Sequence, residues 1–347
     1  MTLIDPLRLA EPALKPHAYG HYANLRRERP LYRTALVTGA PLWMATRYAD
    51  VVAMFKDERF VKDYANALTE EQRAGLTADV GLAFIQRNLL FVDPPDHTRL
   101  RALVSHGFTP ARIEALRPRV QQIADELIAA MPAGEPFDLI DAFAFPLPIM
   151  VISEMLGVPH EDQARFRAWS NLVVGGASIA PDAPDRLAAL REFGAYNQAL
   201  IERRRAEPCD DLVSLLVQAE EQGDRLTMHE TIAMIFLLIV AGHETTVNLL
   251  ANGVLALLTN PAQRELLLGR PELIKNAVEE FLRFDGPVET TTMRFAREDI
   301  EWDGNLIRRG ERVLLAINSA DRDPEAFENP DDLDITRQIK HHLAFGH

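Results

Sequence analysis

Apolar residues recur along most of this chain at steps of three and four, the spacing of a helix buried on one face. Ile113, Leu116, Val120, Ile123, Leu127 and Met131 form one such series. Pro118 falls inside it and predicts a fresh helix start there, because proline suits a first turn and breaks a helix interior. Helical spacing dominates from about 95 to 284. Two stretches depart from it. Residues 31–60 read as strand, turn, strand and helix, with "LWMAT" set between Gly39-Ala40-Pro41 and the helically spaced "RYADVVAMFKD". After about 288, "TTMRFAREDIEWDGNLIRRGERVLLAINSADRDP" alternates and turns at Asp303-Gly304 and Arg309-Gly310, as short strands do. The predicted architecture is mainly α, one domain over residues 1–347, with a small β portion early and another late. No internal repeat or low-complexity linker divides it.

The best-marked element begins at Thr227. "TMHE" is a capping box, with Thr227 placed to cap and Glu230 to reach back. The helical pattern then runs unbroken to Thr259, where Asn260-Pro261 stops it. A helix of that length spans roughly 46 Å at the usual rise per residue. Its first turns are apolar nearly all round, which predicts a path through the protein interior.

Composition narrows the function. An apolar content of 47% with 25% charged residues describes a soluble globular chain with a sizeable core. A formal charge of −14 argues against nucleic acid and anionic membrane as partners, since both call for a cationic surface. Cys209 is the only cysteine, so an internal disulfide framework is excluded and a reducing cytoplasm fits. The opening "MTLIDPLRLAEPALKP" lacks the basic start and apolar run of a signal peptide. The longest strongly apolar stretch, Ile232 to Ala241, is shorter than the roughly 20 residues that cross a bilayer.

Three motifs could carry chemistry. "AGHETT", residues 241–246, places a glycine, two threonines and a His-Glu pair inside the most apolar helix. A glycine there costs about 1 kcal/mol, and local rules fail most often at functional sites. Either the helix surfaces at this point, or the patch works. A zinc motif H-E-x-x-H fails because position 247 is Val. An acid beside an alcohol, Glu244 and Thr245, at a turn opened by the glycine would instead be a proton-delivery device. "AVEEFLRF" contains Glu280 and Arg283 on one helix face, a spacing repeated at Glu70–Arg73, Glu114–Arg117 and Glu202–Arg205. Only the first pair is enclosed by Phe281, Leu282 and Phe284, as a buried lock between segments would be. In "DPPDHTRLR", His97 and Arg101 lie four apart and would suit an anionic cofactor; a plain surface helix start is the alternative.

Taken in order, "DPPDHTRLR", "AGHETT", "EEFLR", "TMRFA", "SADRDPEAF" and "HHLAFGH" resemble the motifs of the soluble bacterial cytochrome P-450 family, from about residue 5 to the last. The resemblance implies a helical domain with a long central helix and small sheets, holding heme b (iron protoporphyrin IX). It implies that Glu244 and Thr245 deliver protons during dioxygen activation and that Ala241 and Gly242 form a widened turn on the heme face. His97, Arg101 and Arg294 match residues that hold the heme propionates, which would be costly to bury without charged partners. Glu280 and Arg283 match a structural E-x-x-R. Phe345 and Gly346 match the start of the loop that presents the axial Cys, so the resemblance implies that the C-terminal part, with that Cys, a helix and a final hairpin, is missing after His347. Cys209, in the polar connection "RRRAEPCDDL", reads as an incidental thiol.

The implied activity is a monooxygenase that hydroxylates or epoxidises a mainly apolar small molecule with O2, catalytically incomplete as given without the axial Cys. The alternative is a heme-deficient binding or interaction protein of the same fold. Electrons would come from NAD(P)H through a reductase and a ferredoxin-type partner, with no nucleic acid and no membrane involved, to a cytoplasmic monomer. Family placement of substrate contacts points to Phe84, Ile85, Leu89, Leu90, Val173, Val174, Leu237, Val240 and Thr290, each of which could equally be ordinary core.

Overall fold

A computed structural model of the chain describes residues 4–11, 13–36, 38–74, 88–163, 165, 166, 168, 169, 184–221 and 224–346. It forms two compact units, Met1–Thr77 with Leu249–His347, and Ala78–Asn248. The long helix Met228–Thr259 contributes its earlier residues to the second unit and its last turns to the first.

The first unit is built on one five-stranded sheet in the order Leu31–Ala35, Pro41–Ala45, Arg312–Leu315, Arg294–Ala296, Phe60–Val61. The expected early and late β portions are both present, and their strands pair into this single sheet. The joint is the parallel pairing of Leu42 to Ala45 with Arg312 to Leu315. A parallel pair needs a long crossover and leaves no local trace in either strand. Pro41–Ala45 sits inside the sheet and is buried from Leu42 to Ala45. A separate hairpin, Ile300–Trp302 with Asn305–Ile307, turns at Asp303 and Gly304 as predicted. Their φ values of 47° and 71° are the left-handed pair that a tight two-residue turn requires.

In the second unit, helices Asp96–Ser105, Pro146–Met155, Pro184–Ala206 and Leu212–Gln218 enclose a core that includes Leu103, Ile152, Phe193 and Leu200. The break at Pro118 is present: Pro110–Ala115 ends, and Arg117–Ala129 begins with the proline in its first turn. The stripe from Ile113 to Met131 is less buried than its spacing predicts. Ile123 is enclosed, whereas Ile113 and Ile128 are 48% and 54% exposed.

The central helix starts with the predicted box. The Glu230 N–H donates to Thr227 Oγ1 at 3.2 Å, and Glu230 Oε2 accepts from the Thr227 N–H at 2.8 Å. Over its first turns Ile232, Ala233, Met234, Ile235, Leu237 and Ile239 are buried. Over a longer window than the Ile232 to Ala241 run, its composition would allow a membrane crossing, and 44% of that window is buried inside the protein instead. In the first unit, the same helix leaves Val254, Leu255 and Leu258 exposed.

Candidate active site

The middle of the central helix is where its burial changes. Ala241, Gly242, Glu244 and Thr246 are exposed and Thr245 partly so, while His243 and Val247 turn inward. His243 is 4% exposed and meets the edge of Phe145, with ring centroids 4.4 Å apart. The outward face therefore carries the glycine, the acid and both alcohols. A side chain added at Gly242 would meet only the Ile152 side chain, at an ordinary 3.6 Å. The expected widened turn is absent: the α-helix is unbroken from Met228 to Thr259. Thr245 Oγ1 donates to the Ala241 carbonyl at 2.5 Å, and Thr246 Oγ1 to the Gly242 carbonyl at 3.1 Å. Hydroxyls that bond back one turn satisfy these carbonyls without opening the backbone. Partial burial holds the Glu244 carboxyl above its ordinary range.

His97 and Arg101 sit together on Asp96–Ser105, one turn apart, His97 half-buried and Arg101 exposed. That helix is tied to the start of the central one by Arg99, which donates to the Glu230 carboxylate. Glu230 thus serves both as capping partner and as anchor, and Arg99–Glu230 is a link that no motif in the sequence flagged.

Within the first unit, Arg294 opens the strand Arg294–Ala296 and is 8% exposed, its guanidinium 5.0 Å from the Phe55 ring centre. Gly346, at a φ of +81° that favours glycine, faces the same ring, since a β-carbon added there would lie 3.6 Å from Phe55 Cε1. Phe345, by contrast, is 82% exposed. Phe55 is a second residue that the motifs did not identify.

Among the described residues of the first unit, the E-x-x-R pair is an ion pair with both side chains fully enclosed. Glu280 and Arg283 are both 0% exposed, joined at 2.7 and 2.8 Å. The remaining donors of Arg283 reach the backbone carbonyls of Asp321, Pro330 and Asp332. Glu280 also accepts from the Asp334 N–H at 2.9 Å and pairs with Arg337 at 3.2 Å. The contrast with Glu114–Arg117, whose side chains are 67% and 72% exposed, is complete. Arg337 was not foreseen, because it lies 57 residues from Glu280 in an irregular segment without periodicity.

Of the expected substrate contacts, Leu89 and Leu237 pack into the core of the second unit, which is the ordinary-core alternative. Leu90 is 37% exposed, and Val240 and Thr290 are half-buried. Phe84, Ile85, Val173 and Val174 lie outside the described residues. Cys209 is exposed, in the connection between Pro184–Ala206 and Leu212–Gln218.

A heme brings two carboxylates and a broad apolar face. The second unit offers a His97–Arg101 pair as donors to a carboxylate; the first, taken by itself, offers the buried Arg294. The exposed Ala241–Gly242 step, free of bulky side chains, suits the face.

The comparisons with known proteins identify the family. The cytochrome P-450 family model matches residues 186–267 and 268–342. Vitamin D(3) 25-hydroxylase of Pseudonocardia autotrophica is 48% identical over 94% of this chain and 79% of its own length. PikC, a cytochrome P-450 monooxygenase of Streptomyces venezuelae, is 44% identical over 95% of this chain and 77% of its own. Among solved structures, the cytochrome P-450 PksS of the Bacillus subtilis 168 bacillaene polyketide synthase superposes with a TM-score of 0.89 at 40% identity, covering 99% of this chain and 85% of that one. With relatives this similar along nearly its whole length, the chain belongs to the cytochrome P-450 family and is a heme-dependent monooxygenase.

Proposed function

We propose that this monooxygenase oxidises a mainly apolar small molecule, with Glu244 and Thr245 as its proton-handling pair and His97, Arg101 and Arg294 as the donors to the propionates of heme b. The observation that carries the reading is the exposed polar turn Ala241–Thr246 on a helix otherwise buried before it. Bound heme would supply the activation of dioxygen, one atom of which enters the substrate while the other leaves as water. The chain's own residues supply geometry and protons. Thr245 Oγ1 donates to the Ala241 carbonyl, so to pass its proton outward the hydroxyl must turn away from that carbonyl. Glu244, the next residue back, has its carboxyl raised by partial burial and would replace the proton given up by Thr245 through intervening water, taking another from solvent in turn. Glu280, Arg283 and Arg337 serve structure alone. Leu90, Val240 and Thr290, being partly open, remain the substrate-facing candidates. We place the enzyme in the cytoplasm as a monomer, taking electrons from NAD(P)H through a reductase and a ferredoxin-type partner; the acidic charge and the single cysteine support this.

Titration with heme tests the cofactor reading. One heme per chain should be taken up, and Arg101→Ala should retain several-fold less after gel filtration. Because Arg101 is exposed, the heme-free variant should unfold at the wild-type temperature. Equal retention in both proteins would remove Arg101 from the site. For proton delivery, Thr245→Ala is expected to divert reducing equivalents into peroxide, lowering product per NAD(P)H by about tenfold or more. Substrate affinity should stay within about twofold, since the hydroxyl acts in chemistry and not in ground-state binding. Unchanged coupling would rule out this role.

A further inference from the structure

The turn Leu343–Gly346 has one internal backbone hydrogen bond, from the Gly346 N–H to the Leu343 carbonyl at 2.8 Å. Its entry is fixed from elsewhere. The Leu343 N–H donates to both oxygens of the Asp321 carboxylate, at 2.9 and 3.1 Å. Asp321 is wholly buried, and its own carbonyl accepts from Arg283 Nη1 at 3.0 Å. Hydrogen bonds therefore run without a gap from Glu280 through Arg283 and Asp321 to Leu343. The Leu343 side chain, 1% exposed, joins the core that includes Met54 and Leu315. Three residues on, Gly346 faces Phe55, the ring beneath Arg294: a β-carbon added at Gly346 would meet that ring at 3.6 Å.

We propose that Asp321 is a positioning residue: its buried carboxylate carries the order of the Glu280–Arg283 pair to the turn Leu343–Gly346 and sets that turn against Phe55 and Arg294. Its bearing on heme rests on the proposed function; the anchoring does not. A buried acceptor that holds one backbone N–H with both oxygens defines both the position and the direction of the strand of chain it grips.

The charged and titratable groups around Asp321 are Arg283, Tyr48, Arg322 and Asp323, with Arg26 of the helix Ala18–Glu28 bonded to the Ser319 carbonyl two residues away, and His341 and His342 beside the turn, His342 facing Glu279. Burial pushes the Asp321 carboxyl up to about 7 from an ordinary 3.8, and the Leu343 N–H and Arg283 only partly offset it. A folded value above the unfolded one means that the folded state binds the extra proton. The stability linked to Asp321 is then full below about pH 4 and is lost as pH rises through about 7.

Hydrogen exchange on the full chain at one pH, compared with unfolding midpoints across pH, tests the role. Asp321→Ala should speed exchange at the Leu343 amide by about tenfold relative to amides of the strand Arg312–Leu315, whereas Asp321→Asn, which keeps one acceptor oxygen, should stay within about threefold. Between pH 4 and 8, wild type should lose midpoint temperature that Asp321→Asn does not lose. Unchanged Leu343 exchange in Asp321→Ala, or parallel pH profiles for wild type and Asp321→Asn, would overturn the proposal. If Asp321→Ala does not fold, the Asp321→Asn profile decides alone. Should the wild type show these effects and take up no heme, the proposed function fails and the role of Asp321 is upheld.

Discussion

Replacing Glu280 by alanine is expected to cost about 3–5 kcal/mol, a large part of the stability of an ordinary domain. The reason is what the substitution leaves behind. Arg283 is fully buried and loses both charge-assisted bonds, while Arg337, with its side chain 12% exposed, loses the Glu280 carboxylate. Two cations are then largely out of water, with backbone carbonyls and the more distant Asp334 carboxylate to compensate. The Asp334 N–H loses its acceptor as well. Glu280→Gln separates the effects, since it restores shape and one acceptor but no charge. Denaturant unfolding should find it intermediate. Removing both charges, in Glu280→Gln with Arg283→Met, should recover part of the loss, because a buried ion is most costly when its partner alone is deleted. A drop below about 1 kcal/mol for Glu280→Ala would show that the pair is not what holds this segment.

The second large effect is expected at Gly157, in the other unit. Its φ of +71° costs any side chain about 1–2 kcal/mol by itself. Space is the stronger constraint. A β-carbon there would stand 2.1 Å from Asp211 Oδ2 and 2.8 Å from Arg204 Nη2. Moving Asp211 aside loosens its bond to Arg204 Nε at 2.5 Å and its cap on the Ser214 N–H at 2.7 Å, which starts Leu212–Gln218. A lost cap is worth about 1 kcal/mol, so Gly157→Ala should lower stability by about 3 kcal/mol in all. Gly134 provides the control: its φ is +80°, yet a β-carbon there meets nothing within 4 Å. Gly134→Ala should show the backbone cost alone. If the two variants unfold within about 1 kcal/mol of each other, crowding at Gly157 is not the constraint described.

What could be read in advance follows the range of the interactions. Thr227 and Glu230 are three residues apart, and their mutual capping was visible as a four-letter motif. The central helix announced itself by thirty residues of one periodicity. The burial of Glu280 and Arg283 could be inferred because their aromatic neighbours were adjacent in sequence. Pairings across long stretches of chain could not. Nothing in "PLWMA" names "RVLL" as its parallel partner, and nothing in "DLDITR" shows that Arg337 reaches Glu280. The turn at Gly242 was expected to open because glycine weakens a helix. The hydroxyls of Thr245 and Thr246 instead hold the two exposed carbonyls, a local competition that propensity alone does not rank. Asp321 escaped notice because an aspartate in a turn-rich segment is ordinarily a solvated one.

Besides the Glu280 carboxylate, Arg283 and Arg337 grip backbone, and not side chains, in residues 321–332. Arg283 and Arg337 bond the carbonyl oxygens of Asp321, Glu328, Asn329, Pro330 and Asp332. Every amino acid has such an oxygen, so the amino acids at 328, 330 and 332 can change with little penalty. The spacing of the carbonyls along the chain cannot. This stretch should accept many point substitutions and reject a single inserted or deleted residue, which would slide each oxygen out of reach of a guanidinium that cannot follow.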